Sequence, residues 1–264
     1  MKRSIAIIIL SAAVFYSCKK IVVLDLNNAP AQTVIQGEVT DAVGPYTISI
    51  NQSVGFYADN NFPAISGAVV KISDNNGVTD SLTETTPGVY STHILQGVPG
   101  NTYTLSVLAN NVSYTASSTM PMPVPFDSVS FSTSSGFGQK RTNAIVNFQD
   151  PAGIQNQYQF IEFINGIQFT KNDFVFDDRL SDGRYITATL FTDSTYFKSG
   201  DQLRVQMNCI DRNVYTYFYQ LAQSSGGGTF NTTASPANPT SNISGGALGY
   251  FSANTVESKT VIVP

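Results

Sequence analysis

Apolar and polar side chains alternate with a period of two along much of this chain, and each alternating run ends in residues that favour turns. Val34, Gln36 and Glu38 fall opposite Thr33, Ile35, Gly37 and Val39. Asp41-Ala42-Val43-Gly44-Pro45 then turns the chain into Tyr46, Ile48 and Ile50, which alternate with Thr47, Ser49 and Asn51. Ala68, Val70 and Ile72 repeat the pattern before Asp74-Asn75-Asn76-Gly77, where Asn and Gly supply the positive φ of a tight hairpin. Thr86-Pro87-Gly88 introduces Val89-Tyr90, Pro99-Gly100-Asn101 introduces Tyr103, Leu105 and Val107, and Asn110-Asn111 closes a hairpin into Val112 and Tyr114. About seven short strands in about 90 residues, with turns roughly every 8 to 12, predict an antiparallel β-sandwich over residues 33–119.

The prolines of Met120-Pro121-Met122-Pro123-Val124-Pro125 exclude a sheet interior and predict a short stiff linker over 120–126. A second β-rich domain is expected over 127–264. Val129 and Phe131 begin a strand, Ser132 to Gln139 read as a Gly/Ser loop, and Ala144, Val146 and Phe148 form a strand ended by Asp150-Pro151-Ala152-Gly153. Tyr158 to Phe169 is strongly apolar, with Asn165-Gly166 at its centre as a two-residue hairpin turn. Further strands are expected at Tyr185–Phe191 and Gln202–Ile210, and closing strands around Tyr250-Phe251, Val256 and Val261–Val263. One helix is predicted over about 211–223: Asp211 caps it, and Val214, Phe218 and Leu221 recur at helical spacing. The expected fold class is therefore mainly β, with two antiparallel sandwich-like domains and a helix in the second.

The first residues change the picture of location. Lys2 and Arg3 precede an apolar run of about ten residues, Ile5–Val14, too short to span a bilayer as a helix, and Ser17 precedes Cys18; residues 1–17 read as a signal peptide. Ser17-Cys18 resembles a lipobox in its relaxed Bacteroidota-type form. The resemblance implies a mature lipoprotein whose Cys18 carries diacylglycerol and an N-acyl chain such as palmitate, followed by a tether over 18–32. Removing Lys2 and Arg3 leaves 12 basic against 18 acidic side chains, with no basic cluster beyond Lys19-Lys20 and Lys140-Arg141, so nucleic-acid binding is not expected.

Residues 66–121, with Ala68, Val70 and Ile72, an Asn-Gly turn, Gly88-Val89-Tyr90 and Tyr103, Leu105, Val107, resemble the carboxypeptidase-regulatory or transthyretin-like module. Three phrases in the second half resemble the domain-of-unknown-function family numbered 4249: Asp177-Asp178-Arg179-Leu180-Ser181-Asp182-Gly183, Ile210 to Tyr217, and Asn238 to Ala253. That resemblance implies an outer-membrane lipoprotein, associated with TonB-dependent nutrient uptake, with a TonB-dependent receptor or another envelope protein as partner. Lys19-Lys20 stand where surface-exported lipoproteins of this lineage carry acids, so the periplasmic and outward faces both stay open. The family carries no catalytic residues over to this chain.

The residues name no reaction. His93 is the sole histidine, placed on a strand after Tyr90, so a Ser/His/acid triad or a histidine-rich zinc site has no second member. Cys209, opposite Asn208 and in phase with Val205 and Met207, reads as a buried small hydrophobe. Asp173, Asp177, Asp178 and Asp182 form the densest acidic group, a possible ligand loop or Ca²⁺ site, although their spacing fits no ordered calcium loop. Ser81, Ser128 and Ser194, each after an Asp, resemble a bacterial O-glycosylation motif. Ser244-Gly245-Gly246-Ala247-Leu248-Gly249 reads as close backbone packing, with a ligand-contacting loop as the alternative, rather than a phosphate cradle. Tyr215, Tyr217 and Tyr219 read as a helix packed on one side with an amphipathic surface on the other, the alternative being a sugar-stacking platform. The expected function is a non-enzymatic, lipid-anchored binding or accessory protein. The alternatives are a structural or adhesive envelope protein, and a glycan-active enzyme working with carboxylates alone.

Overall fold

The computed structural model describes residues 30–55, 58–59, 61–136, 139–170, 174–192, 197–224 and 238–264; the predicted signal peptide and Cys18 lie outside them. The strands are β1 (Thr33–Thr40), β2 (Thr47–Gln52), β3 (Val69–Asp74), β4 (Thr79–Ser81), β5 (Thr83–Thr86), β6 (Val89–Ser91), β7 (Thr102–Ala109) and β8 (Val112–Thr119) in the first half. The second half has β9 (Phe126–Gly136), β10 (Gln139–Gln149), β11 (Gln157–Ile164), β12 (Ile167–Gln168), β13 (Phe174–Asp177), β14 (Tyr185–Leu190), β15 (Gln202–Cys209), helix α1 (Arg212–Ser224) and β16 (Leu248–Ile262). No helix among the described residues is long and apolar enough to cross a membrane.

Three sheets organise these strands. The largest has the order β12-β11-β15-β16-β1-β2-β6-β5, with β13 also on β11; a four-stranded sheet runs β4-β3-β7-β8 and a three-stranded one β14-β10-β9. The link is β16. Its first half, Leu248–Asn254, pairs in parallel with β1, and its second half, Thr255–Ile262, pairs antiparallel with β15. The two halves of the chain thus share one sheet, and the parallel β1–β16 ladder departs from the antiparallel pairing that neighbouring strands had suggested.

Because side chains alternate across a strand, the register places both cores on one side of this sheet. Ile35 and Val39 of β1 stand beside Gly249 and Ala253; farther along β16, Thr255 and Val261 stand beside Cys209 and Leu203. Against the first half packs the four-stranded sheet, enclosing Ile35, Ile48, Ile50, Tyr90, Phe251 and Ala253 with Ile72, Tyr103, Leu105 and Val107. Against the second packs the three-stranded sheet, enclosing Phe160, Val205, Met207 and Cys209 with Phe126, Val146, Phe148 and Leu190. The proline-rich segment joins them outside any strand or helix until β9 begins at Phe126, with Met120 buried in the first core and Val124 and Phe126 in the second. Ile243, Ala247, Phe251 and Ala253 from the end of the chain complete the first core.

Local chemistry explains the turns. Asn110 and Asn111 take positive φ between β7 and β8, and Asn165 and Gly166 do so between β11 and β12, as hairpins of two residues require. Ser132–Gln139 is not a loop throughout: β9 and β10 continue through Gly136 and from Gln139, their ladder satisfying backbone groups that composition alone had left unassigned. Gly249 has φ +98°, and a Cβ there would lie 2.0 Å from the Ile35 carbonyl oxygen, so the backbone enters the parallel ladder where a side chain cannot.

Candidate functional site

The opposite side of the large sheet is polar, and α1 docks on it. Asp211 caps the helix by accepting the Asn213 and Val214 N–H groups at 2.8 and 2.9 Å. Its other oxygen accepts the Ser118 hydroxyl, whose oxygen in turn accepts the Ala253 N–H at 2.8 Å, fixing the helix start to β8 and β16. Val214, Tyr217 and Phe218 are buried from the helix, with Tyr250 and Val175 packed against them. Beside the helix lies a groove of about 450 Å³, whose floor includes Gln159, Gln206, Ser252 and Glu38. Phe218, Leu221 and Tyr250 stand on one flank and Gln168, Phe169 and Thr170 on another.

The floor is hydrogen-bonded in one direction. Arg204, its guanidinium carbon 3.6 Å from the centre of the Phe163 ring, donates to Gln206 at 3.2 Å. Gln206 donates to Asn208 at 2.9 Å, and Asn208 donates to Gln159 at 3.2 Å. On β16 the Ser252 hydroxyl donates to Asn254 at 2.9 Å, and the buried Asn254 side-chain nitrogen has no hydrogen-bond partner among the described residues. Glu38 keeps access to solvent, yet loss of surrounding water within the groove raises its carboxyl pKa. The signal for this floor was in the sequence: Arg204, Gln206 and Asn208 alternate with Leu203, Val205, Met207 and Cys209. Recognising it required the neighbouring strands.

The predicted acidic group is rearranged. Asp178 and Asp182 converge with Asp150, one oxygen from each lying within 4.8 Å of the others. Asp177 instead forms an ion pair with Arg179, and Asp173 lies outside the described residues. Asp150 accepts the Tyr158 hydroxyl and the Gly183 N–H (3.0 Å); Asp178 accepts the Asn156 N–H (2.6 Å); Asp182 accepts the Gly153 N–H (2.7 Å). These bonds clamp the 150–156 loop to the 178–184 turn. Burial raises the Asp178 pKa, and the neighbouring Asp150 and Asp182 charges add to the shift. Three carboxylates supply part of the six to eight oxygens that Ca²⁺ takes, and both oxygens of Asp150 already accept protein hydrogen bonds.

The remaining sequence candidates resolve individually. His93 lies in a bend after β6 rather than on a strand, its ring nitrogen 3.4 Å from Asp80. The buried Asp80 carboxylate accepts the N–H groups of His93, Ile94 and Leu95 at 2.7, 2.7 and 2.9 Å, so its partners there are chiefly backbone. Burial alone would raise its pKa, but these amides outweigh that and hold it below the usual range. Cys209 is buried, and desolvation pushes its thiol pKa up. Tyr215 and Tyr219 stack at 5.8 Å, whereas Tyr217 is buried against Phe218 and Tyr250. Gly245 packs on the Ser113 carbonyl, and its neighbour Ser244 accepts and donates to Thr115, in keeping with a packing role for the glycine motif. Ser81 and Ser128 are exposed on β4 and β9; Ser194 lies outside the described residues.

Among solved structures, the chain is similar to the Yersinia pseudotuberculosis adhesin InvE at 16% identity, over 68% of this chain and 55% of that one, with a TM-score of 0.22. The match spans little more than half of the adhesin chain, and a likeness this slight supports no argument about function. No match is found among curated proteins. The model for the domain of unknown function DUF4249 matches residues 19–260, nearly the whole chain after the apolar N-terminal run, and the protein belongs to that family.

Proposed function

We propose that this protein is a lipid-anchored, non-enzymatic binding or accessory component of the cell envelope, held at the outer membrane through Cys18 and partnered with a TonB-dependent receptor. The observation that carries the reading is the groove beside α1, a concave site with a polar floor and an apolar flank. Its described lining holds a single carboxylate and no His or Cys, and the adjoining Arg204 guanidinium is engaged by Gln206 and the Phe163 ring, a composition suited to holding a molecule rather than to transforming it. The N-terminal Lys-Arg, apolar run and Ser17-Cys18 support the anchor, and the period-two pattern of residues 66–121 supports a regulatory-type β module as its carrier.

The test uses the protein in its native membrane. Labelled palmitate is expected to enter the wild type and not Cys18→Ala, and mild-detergent extraction is expected to recover a receptor with it. A Cys18→Ala protein that still takes up palmitate, or a wild type recovered alone, overturns the corresponding half of the proposal.

A further inference from the structure

The groove joins two kinds of surface on one face of the large sheet. Its floor is a row of amide and hydroxyl groups whose donors and acceptors have been ordered by their neighbours, and its flank beside α1 is aromatic and aliphatic. We propose that the groove binds a neutral saccharide, an inference that rests on the reading of the protein as a binder and gives that site its ligand class.

Direction in the hydrogen-bond chain is the first reason. Arg204 has no acceptor to offer, so the series Arg204 to Gln206 to Asn208 to Gln159 points one way and ends on the Gln159 carbonyl oxygen. Gln159 is more than nine-tenths buried and lines the groove, yet its amide nitrogen donates to nothing among the described residues. Gln206 retains a second N–H. Against these donors stand the Glu38 carboxylate and the Ser252 oxygen, the latter oriented by its own donation to Asn254. A hydroxyl group both donates and accepts, so adjacent hydroxyls on a sugar ring satisfy such an alternating floor. A purely apolar occupant would strand the Gln159 amide and the Glu38 carboxylate without water or partners.

Shape and charge supply the second reason. The ring carbons of a saccharide present an apolar face suited to Phe218, Leu221 and Tyr250. Glu38 is the one carboxylate of the described lining and repels anions, while the Arg204 guanidinium beside the floor is already held by Gln206 and the Phe163 ring, so phosphorylated and carboxylated ligands are disfavoured relative to neutral ones. The volume of about 450 Å³ falls within the range of about 300–1,000 Å³ usual for small-molecule sites.

The experiment probes the intact lipoprotein in detergent against an array of neutral and anionic oligosaccharides, with spermidine as a cationic control. Calorimetry then follows on each bound sugar. Neutral oligosaccharides are expected to bind, and Gln159→Ala, Glu38→Gln and Gln168→Trp are each expected to weaken binding at least about tenfold, the loss of one to two hydrogen bonds or the narrowing of the groove. Gln168 is exposed, so Gln168→Trp tests the site with the fold intact, as its unchanged melting temperature would show. Absence of neutral sugar binding, binding that survives all three changes, or preference for spermidine or anionic sugars overturns the inference. Palmitate labelling and receptor co-purification on the same preparations report separately on the anchored-accessory reading.

Discussion

Glu162 offers a test of how this fold tolerates a buried acid. It sits on β11 on the core side, fully enclosed, with one oxygen accepting the Thr192 hydroxyl and the other, Oε1, without a partner among the described residues. Burial pushes its pKa from 4.5 to about 7, against the smaller lowering effect of the Thr192 bond. The sign follows from proton binding. Between pH 4.5 and 7 the folded protein holds a proton that the unfolded chain has released, so stability falls as pH rises through that window and stays lower above it. At about 1.4 kcal/mol per pH unit, the loss reaches roughly 3 kcal/mol by pH 8. Glu162→Gln keeps the shape of the protonated acid and removes the titration. The two proteins should therefore melt within a few degrees of each other at pH 5, whereas at pH 8 Glu162→Gln should melt roughly 6–12 °C higher. Thermal denaturation by circular dichroism at both pH values reads this directly. Asp178, whose pKa is also raised, contributes equally to both proteins and cancels. A difference between wild type and variant that is the same at pH 5 and pH 8 would refute the reasoning.

Gly249→Ala should cost at least about 2 kcal/mol, because it imposes a left-handed backbone on a residue with a Cβ and drives that carbon against the Ile35 carbonyl; chemical denaturation would reveal the loss, and an unchanged midpoint would contradict it. Asp80→Ala leaves the amides of His93, Ile94 and Leu95 without their acceptor and should destabilise by roughly 3 kcal/mol. Because the Asp80 pKa is lowered, its contribution is present above the unfolded-state value and fades as pH falls through the folded one, so the gap between wild type and Asp80→Ala should narrow in acid; a gap that widens there would count against the carboxylate clamp.

What the sequence determined by itself is the local structure. Period-two alternation in β1, β2, β3 and β7, the Asn110-Asn111 and Asn165-Gly166 turns, the Asp211 cap and the burial of Cys209 all follow from side-chain placement within a few residues, and each is found in the fold. Nearby acids in the sequence were a poorer guide. Asp177 turned to Arg179, while Asp150 arrived from the end of β10 because β13, β11 and the 178–184 turn bring it there. His93 likewise followed the Asp80 carboxylate into a bend that no local pattern encodes.

Only the tertiary structure decided how the halves join. Nothing near Leu248–Ile262 states that its first seven residues pair in parallel with β1, more than 200 positions earlier, and the rest with β15. That single strand puts two cores on one side of a shared sheet and leaves the other side polar. The groove follows from the same fact: Glu38, Gln159, Gln206 and Ser252 belong to four strands that become neighbours through long-range pairing, and α1 then closes one flank. Short-range propensity sets each strand and turn, but the choice of partner strand rests on burying both apolar faces at once, which no local window of the sequence contains.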